Sequence, residues 1–62
     1  MTLIFFEGGQ RDGQTDWYDG DLDPGQLLVF DGPDFLGVYQ RSEPVTHVPT
    51  KDGTAEVWHS LS

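Results

Sequence analysis

Asp19, Asp21 and Asp23 alternate through Asp19-Gly20-Asp21-Leu22-Asp23-Pro24-Gly25, and alternating carboxylates are how a short loop gathers hard oxygen ligands around calcium. Counted from Asp19, however, the sixth position is Pro24 where such a loop needs glycine, and the twelfth is Phe30 where it needs a bidentate glutamate. The stretch reads as a solvated acidic loop. His47 and His59, with Asp52, are the only other metal-binding suggestion: strands pairing around Lys51-Asp52-Gly53 bring both imidazoles to one end of a hairpin. Zinc centres take four ligands with short-spaced Cys or His pairs, and the chain has no cysteine. Structural or surface roles are expected for both histidines, and no metal site is assigned.

Catalytic ingredients are equally sparse. Paired carboxylates do acid and base work only in a concave site that moves their pKa values apart, and 62 residues enclose little interior. Ser42, Ser60 and Ser62 have no nucleophile motif around them. Gly8-Gly9-Gln10-Arg11-Asp12-Gly13 is glycine-rich but lacks the lysine of a phosphate-binding loop and is not followed by a helical pattern. Its glycines suit turns. The chain is expected to be neither an enzyme nor a cofactor carrier.

Charge and aromatic content say more. The net charge is −8, and it is uneven: residues 1–34 hold eight acids against Arg11, whereas residues 35–62 hold three against Arg41 and Lys51. Nucleic-acid binding draws on phosphate neutralisation and needs the opposite sign, so direct contact with DNA, RNA or an anionic membrane is not expected. Trp17, Tyr18, Phe35, Tyr39 and Trp58 are many large rings for so small a chain. Trp17 and Tyr18, being neighbours on a strand, point to opposite faces, so one of them is expected outside the core. Aromatic anchors with an acidic rim match the composition of protein interfaces. The candidate partner-binding residues are therefore Asp16, Trp17, Tyr18, Asp19, Asp21, Asp23 and Phe35.

The elements that position these residues are strands. Eight glycines and four prolines punctuate the chain, and no stretch holds apolar residues at helical spacing. Strands are expected at Thr2–Glu7, Gln14–Tyr18, Gln26–Phe30, Leu36–Arg41, Pro44–Val48 and Thr54–Leu61, the first two forming a hairpin. In the last, Ala55, Val57, His59 and Leu61 point one way and Glu56, Trp58 and Ser60 the other. Asp31-Gly32-Pro33-Asp34 and Lys51-Asp52-Gly53 are turns. Pro44 and Pro49 confine the fifth segment to a sheet edge or an extended connection. The expectation is a single all-β domain over residues 1–62: an antiparallel sheet curled into a meander, half-barrel or small barrel, with little or no helix and with Phe5, Val29, Val38, Tyr39 and Val57 in the core.

At this size, apolar burial and chain entropy nearly cancel, and the absence of cysteine removes disulfides as a supplement. A docking surface or self-association is the remaining source of added stability. The apolar start, Leu3 to Phe6, has no basic residues before it and is too short for a signal peptide or a membrane span; a soluble, cytoplasmically made protein is expected.

The pattern Leu3-x-x-x-Glu7-Gly8-Gly9-x-x-Asp12-Gly13-x-x-x-Trp17, followed by an acidic loop, a Gly37-Val38-Tyr39 strand and a closing Ala55-x-Val57-Trp58, resembles small proteins of actinobacterial tailed phages and prophages. Those proteins often carry Gly-Gly-Pro-x-Asp-Gly, where this chain has Gln10 in place of the proline. The resemblance implies a non-enzymatic virion accessory protein, a minor capsid or decoration protein that binds the major capsid or another virion protein in many copies on a lattice. Asp16, Asp19, Asp21 and Asp23 would then face basic shell surface while Trp17, Tyr18 and Phe35 anchor. The alternative is an acidic nucleic-acid mimic that inhibits a host DNA- or RNA-binding protein, which requires carboxylates spaced like phosphates along one face.

Overall fold

The apolar run after Met1 becomes β1 (Thr2–Glu7), and the glycine-rich segment turns through a short 3₁₀ element, Gly9–Arg11, into β2 (Thr15–Tyr18). Gly8, Gly9 and Gly13 all hold positive φ, at 80°, 66° and 79°, a region closed to most side chains. The computed structural model describes residues 1–61 and continues with β3 (Leu27–Asp31), β4 (Leu36–Arg41), β5 (His47–Thr50) and β6 (Gly53–Ser60). These strands form one curled half-barrel sheet in the order β2-β1-β6-β4-β3, with β5 attached to β6.

β6 organises the sheet. One side pairs in parallel with β1, from Ile4 opposite Glu56 to Glu7 opposite His59, so the first and last strands are neighbours while Met1 and Leu61 lie at opposite ends of that ladder. The other side pairs antiparallel first with β5 and then with β4. All remaining ladders are antiparallel, as expected from the hairpin turns.

β4 and β5 are two halves of one line along β6, interrupted by an excursion over residues 42–46. Arg41 sits opposite Trp58 and His47 opposite Glu56, which leaves Val57 alone opposite the interruption. The Val57 carbonyl accepts from the Ser42 amide at 3.2 Å and the Ser42 hydroxyl at 2.6 Å, while the Val57 amide donates to Thr46 O at 2.9 Å. Pro44 and Val45 therefore bulge away from the sheet, and the fifth strand is His47–Thr50 instead of Pro44–Val48. It is an edge strand, in keeping with its proline.

Strand alternation separates two faces. The inner face holds the core cluster Ile4, Phe6, Tyr39 and Trp58, against which Tyr18, Leu22, Leu28 and Phe30 pack. Phe6, Phe30 and Tyr39 meet edge to face, with ring centroids 4.9 to 5.9 Å apart. This corrects the expected core. Register places Phe5 beside Val57 and Val29 beside Val38 on the opposite, outer face. Of those five, Tyr39 belongs to the inner cluster, Val57 is buried as expected but on the outer side, Phe5 and Val38 are half-buried there, and Val29 is exposed. Both faces of β1, β3 and β6 carry apolar residues, and alternation alone does not say which one closes.

Two charged groups complete the inner face. Arg11 is buried, its guanidinium lying 4.4 Å from the Phe6 ring centre, 5.0 Å from Phe30 and 4.4 Å from Phe35. Glu56 is also buried. Its Oε1 accepts from Arg41 Nε and Trp58 Nε1, each at 2.9 Å, and its Oε2 accepts from Arg41 Nη2 at 3.2 Å. Arg41 Nη1 donates to Leu22 O at 2.9 Å, tying the acidic loop to the sheet.

Candidate docking face

On the outer face, register lays out two apolar patches. Trp17 pairs with Leu3 and Phe5 with Val57, with Val48 and Ala55 beyond them; Val38 pairs with Val29, flanked by Leu61, Leu36 and Leu27. Between them runs a polar row in which Glu7 lies opposite His59 and His59 opposite Gln40. His59 Nδ1 is 3.4 Å from Glu7 Oε1.

The two patches differ in cover. Leu3, Ala55 and Val57 are buried, whereas Val29 is 68% exposed, Leu36 57%, Leu61 56%, Trp17 54% and Leu27 48%. Apart from Met1, every large apolar side chain that stays exposed among the described residues lies on this face. Isolated exposed leucines are ordinary; several gathered on one side of a small sheet make that side the candidate docking face.

The residues nominated from sequence divide. Trp17 belongs to the outer face and is exposed. Tyr18 packs on the inner core, and Phe35 is half-buried against Arg11 and 6.4 Å from Phe30. Asp16 serves the fold: one oxygen lies 3.4 Å from Arg11 Nη1 and the other accepts from the Trp17 amide at 2.8 Å. Asp19, Asp21 and Asp23 are exposed in the loop before β3, and among the described residues no three His, Asp or Glu side chains are grouped so as to hold a metal ion. His47 faces Glu56 along the β5–β6 ladder while His59 lies beside Glu7, so register does not pair the two histidines.

A groove of about 460 Å³ separates Pro24 from the 42–46 excursion and is lined by Arg41, Ser42, Glu43, Pro44 and Val45. Two of its polar side chains, Arg41 and Ser42, are committed to the fold. The Arg41 guanidinium holds Glu56 and Leu22 O, and the Ser42 hydroxyl donates to Val57 O. Ser60 lies at the inner end of β6 beside Gly9, and Ser62 lies outside the described residues.

Leu27, Val29, Leu36 and Leu61 were not nominated from sequence. Their signal was the apolar alternation of β3, where Leu28 and Phe30 face one way and Leu27 and Val29 the other. Comparison with protein-family models, curated proteins and solved structures finds no match.

Proposed function

We propose that this protein is a non-enzymatic docking module that binds another protein through the outer face of its sheet, in the setting of a phage particle. The observation that carries the reading is the placement of Trp17, Leu27, Val29, Leu36 and Leu61 on one face, while the opposite face is closed by its own core, Arg11 and Glu56. A core-facing explanation is thereby lost for those side chains. Acidic residues at the margins favour a basic partner surface, and the resemblance supplies the partner class: a major capsid or other virion protein, met in many copies. On a lattice, modest contacts repeated many times suffice.

The nucleic-acid-mimic reading draws less support. Asp12 accepts from the Gly8 amide, Asp16 engages Arg11, Asp52 accepts from Thr15 and Glu56 is buried. The exposed Asp19, Asp21 and Asp23 precede β3 and Asp31 and Asp34 close it, two separate groups instead of one continuous row. Mass spectrometry of purified particles tests the proposal. Copies in fixed ratio to the major shell protein are expected, and absence from particles made while the protein is present in the cell overturns the virion setting.

A further inference from the structure

The sheet has three free edges, on β2, β3 and β5, and two of them are blocked. In an antiparallel ladder, alternate residues bond inward while those between turn their amide and carbonyl outward. On β5, the Val57 amide bonded to Thr46 O sets the phase so that His47 and Pro49 face outward, and proline has no amide to offer. On β2, Phe6 N bonded to Gln14 O makes Thr15 and Trp17 the outward residues; the Trp17 amide is already taken by Asp16 Oδ1 at 2.8 Å. These are recognised ways to blunt an edge.

β3 carries neither device. Arg41 N bonded to Gln26 O and Gly32 N bonded to Phe35 O show that Gln26, Leu28, Phe30 and Gly32 face β4, so the amides and carbonyls of Leu27, Val29 and Asp31 point away from the sheet. All three residues are exposed. Within β3 there is no proline, and its one charge is the terminal Asp31.

We propose that the β3 edge is a strand-addition site, taking an extended segment of a partner protein whose apolar side chains alternate and whose ends carry Lys or Arg. The charge distribution selects this occupant. Asp21 and Asp23 precede β3, Asp31 and Asp34 close it, and all are exposed. A second copy paired antiparallel across Val29 sets Asp31 of each chain toward the Asp23 end of the other, like charge against like. A basic-ended segment neutralises both ends, bonds to Leu27, Val29 and Asp31, and extends the patch of Val29, Val38 and Leu27. This deepens the docking reading, resting on it only for the partner's being a protein.

The probe is a short blocked peptide with paired lysines at each end and alternating threonine and valine between, compared with the same peptide N-methylated along its centre. Binding is read by fluorescence anisotropy and by amide hydrogen exchange, which need no particle and so fail or succeed independently of the virion assignment. The expected result is slowed exchange at Leu27, Val29 and Asp31, with affinity reduced about tenfold or more by N-methylation and by Val29→Pro, since each leaves hydrogen bonds unmade. Should the proline variant not fold, the N-methylated peptide carries the test, since it removes the same hydrogen bonds from the partner's side and leaves the protein unchanged. Equal binding of the N-methylated peptide overturns the proposal, because charge alone is then responsible. Slowed exchange at those amides on raising protein concentration without peptide also overturns it, assigning the edge to a second copy.

Discussion

Glu56 and Arg41 form a two-point ion pair on the inner face of the sheet, and Trp58 donates to the same carboxylate. The glutamate side chain is 6% exposed and the arginine 18%, so neither charge retains its full hydration. Breaking such a pair strands a buried charge, at a cost of about 3–5 kcal/mol, comparable to the whole stability of a small domain. Glu56→Ala is expected to abolish cooperative urea unfolding. In the double variant Glu56→Gln with Arg41→Met the losses are not additive, and the shortfall, read from a double-mutant cycle, measures the coupling.

Gly9 and Gly13 separate two costs. A side chain at Gly9 meets Ser60 Oγ and Tyr39 Oη at 2.7 Å in addition to its φ of +66°, whereas at Gly13 nothing lies within 4 Å. Both alanine variants are strained by positive φ, at about 1 kcal/mol or more each. Gly9→Ala is expected to lose distinctly more stability than Gly13→Ala in denaturant titration; equal losses contradict the packing described around Tyr39.

Tyr39 joins the first hairpin to β4. Its hydroxyl donates to Gly8 O at 2.5 Å and accepts from the Arg11 amide at 2.9 Å. Tyr39→Phe keeps the ring and leaves both backbone groups without this partner, so a loss of about 1–3 kcal/mol is expected. Amide exchange is expected to accelerate first at Arg11 and its neighbours, with the β3–β4 ladder less affected.

These features were unequally legible in the sequence. The strands of the first hairpin, β3, β4 and β6 follow from local signals: the Leu3 to Phe6 run, the positive-φ glycines and the alternation of Ala55 to Ser60. What was not local was not legible. Phe5 and Phe6, like Val57 and Trp58, present apolar groups to both faces, and only the assembled sheet decides that Phe6 and Trp58 lie inside. Arg11 is buried because Phe6, Phe30 and Phe35 arrive from separate segments to surround it. The fifth strand shifted because Val57 bonds to both Ser42 and Thr46, a two-against-one arrangement that the prolines alone did not specify. Of the nominated binding residues, Trp17 and Tyr18 divide between the faces as alternation required, with Trp17 outward, a choice made by the assembled sheet, while Phe35 contributes to the Arg11 enclosure.

The exposed residues of the outer face should be dispensable for folding. Trp17→Ala, Leu36→Ser and Val29→Lys are expected to change unfolding free energy by about 0.5 kcal/mol or less, as for other surface positions. Thermal denaturation of each checks this, and a loss of several kcal/mol assigns that residue to the fold instead of to docking.

Occupancy of purified particles across a salt series, for the parent protein and for Trp17→Ala, tests the docking account most directly. Exposed charges more than about 10 Å apart are screened at ~0.1 M salt while apolar contacts are not, so parent occupancy should fall only partly, through slower association. Trp17→Ala, folded and at the same concentration, should show faster release and a loss of about 2 kcal/mol or more if Trp17 is a central anchor. Full occupancy by folded Trp17→Ala at every salt concentration contradicts the account.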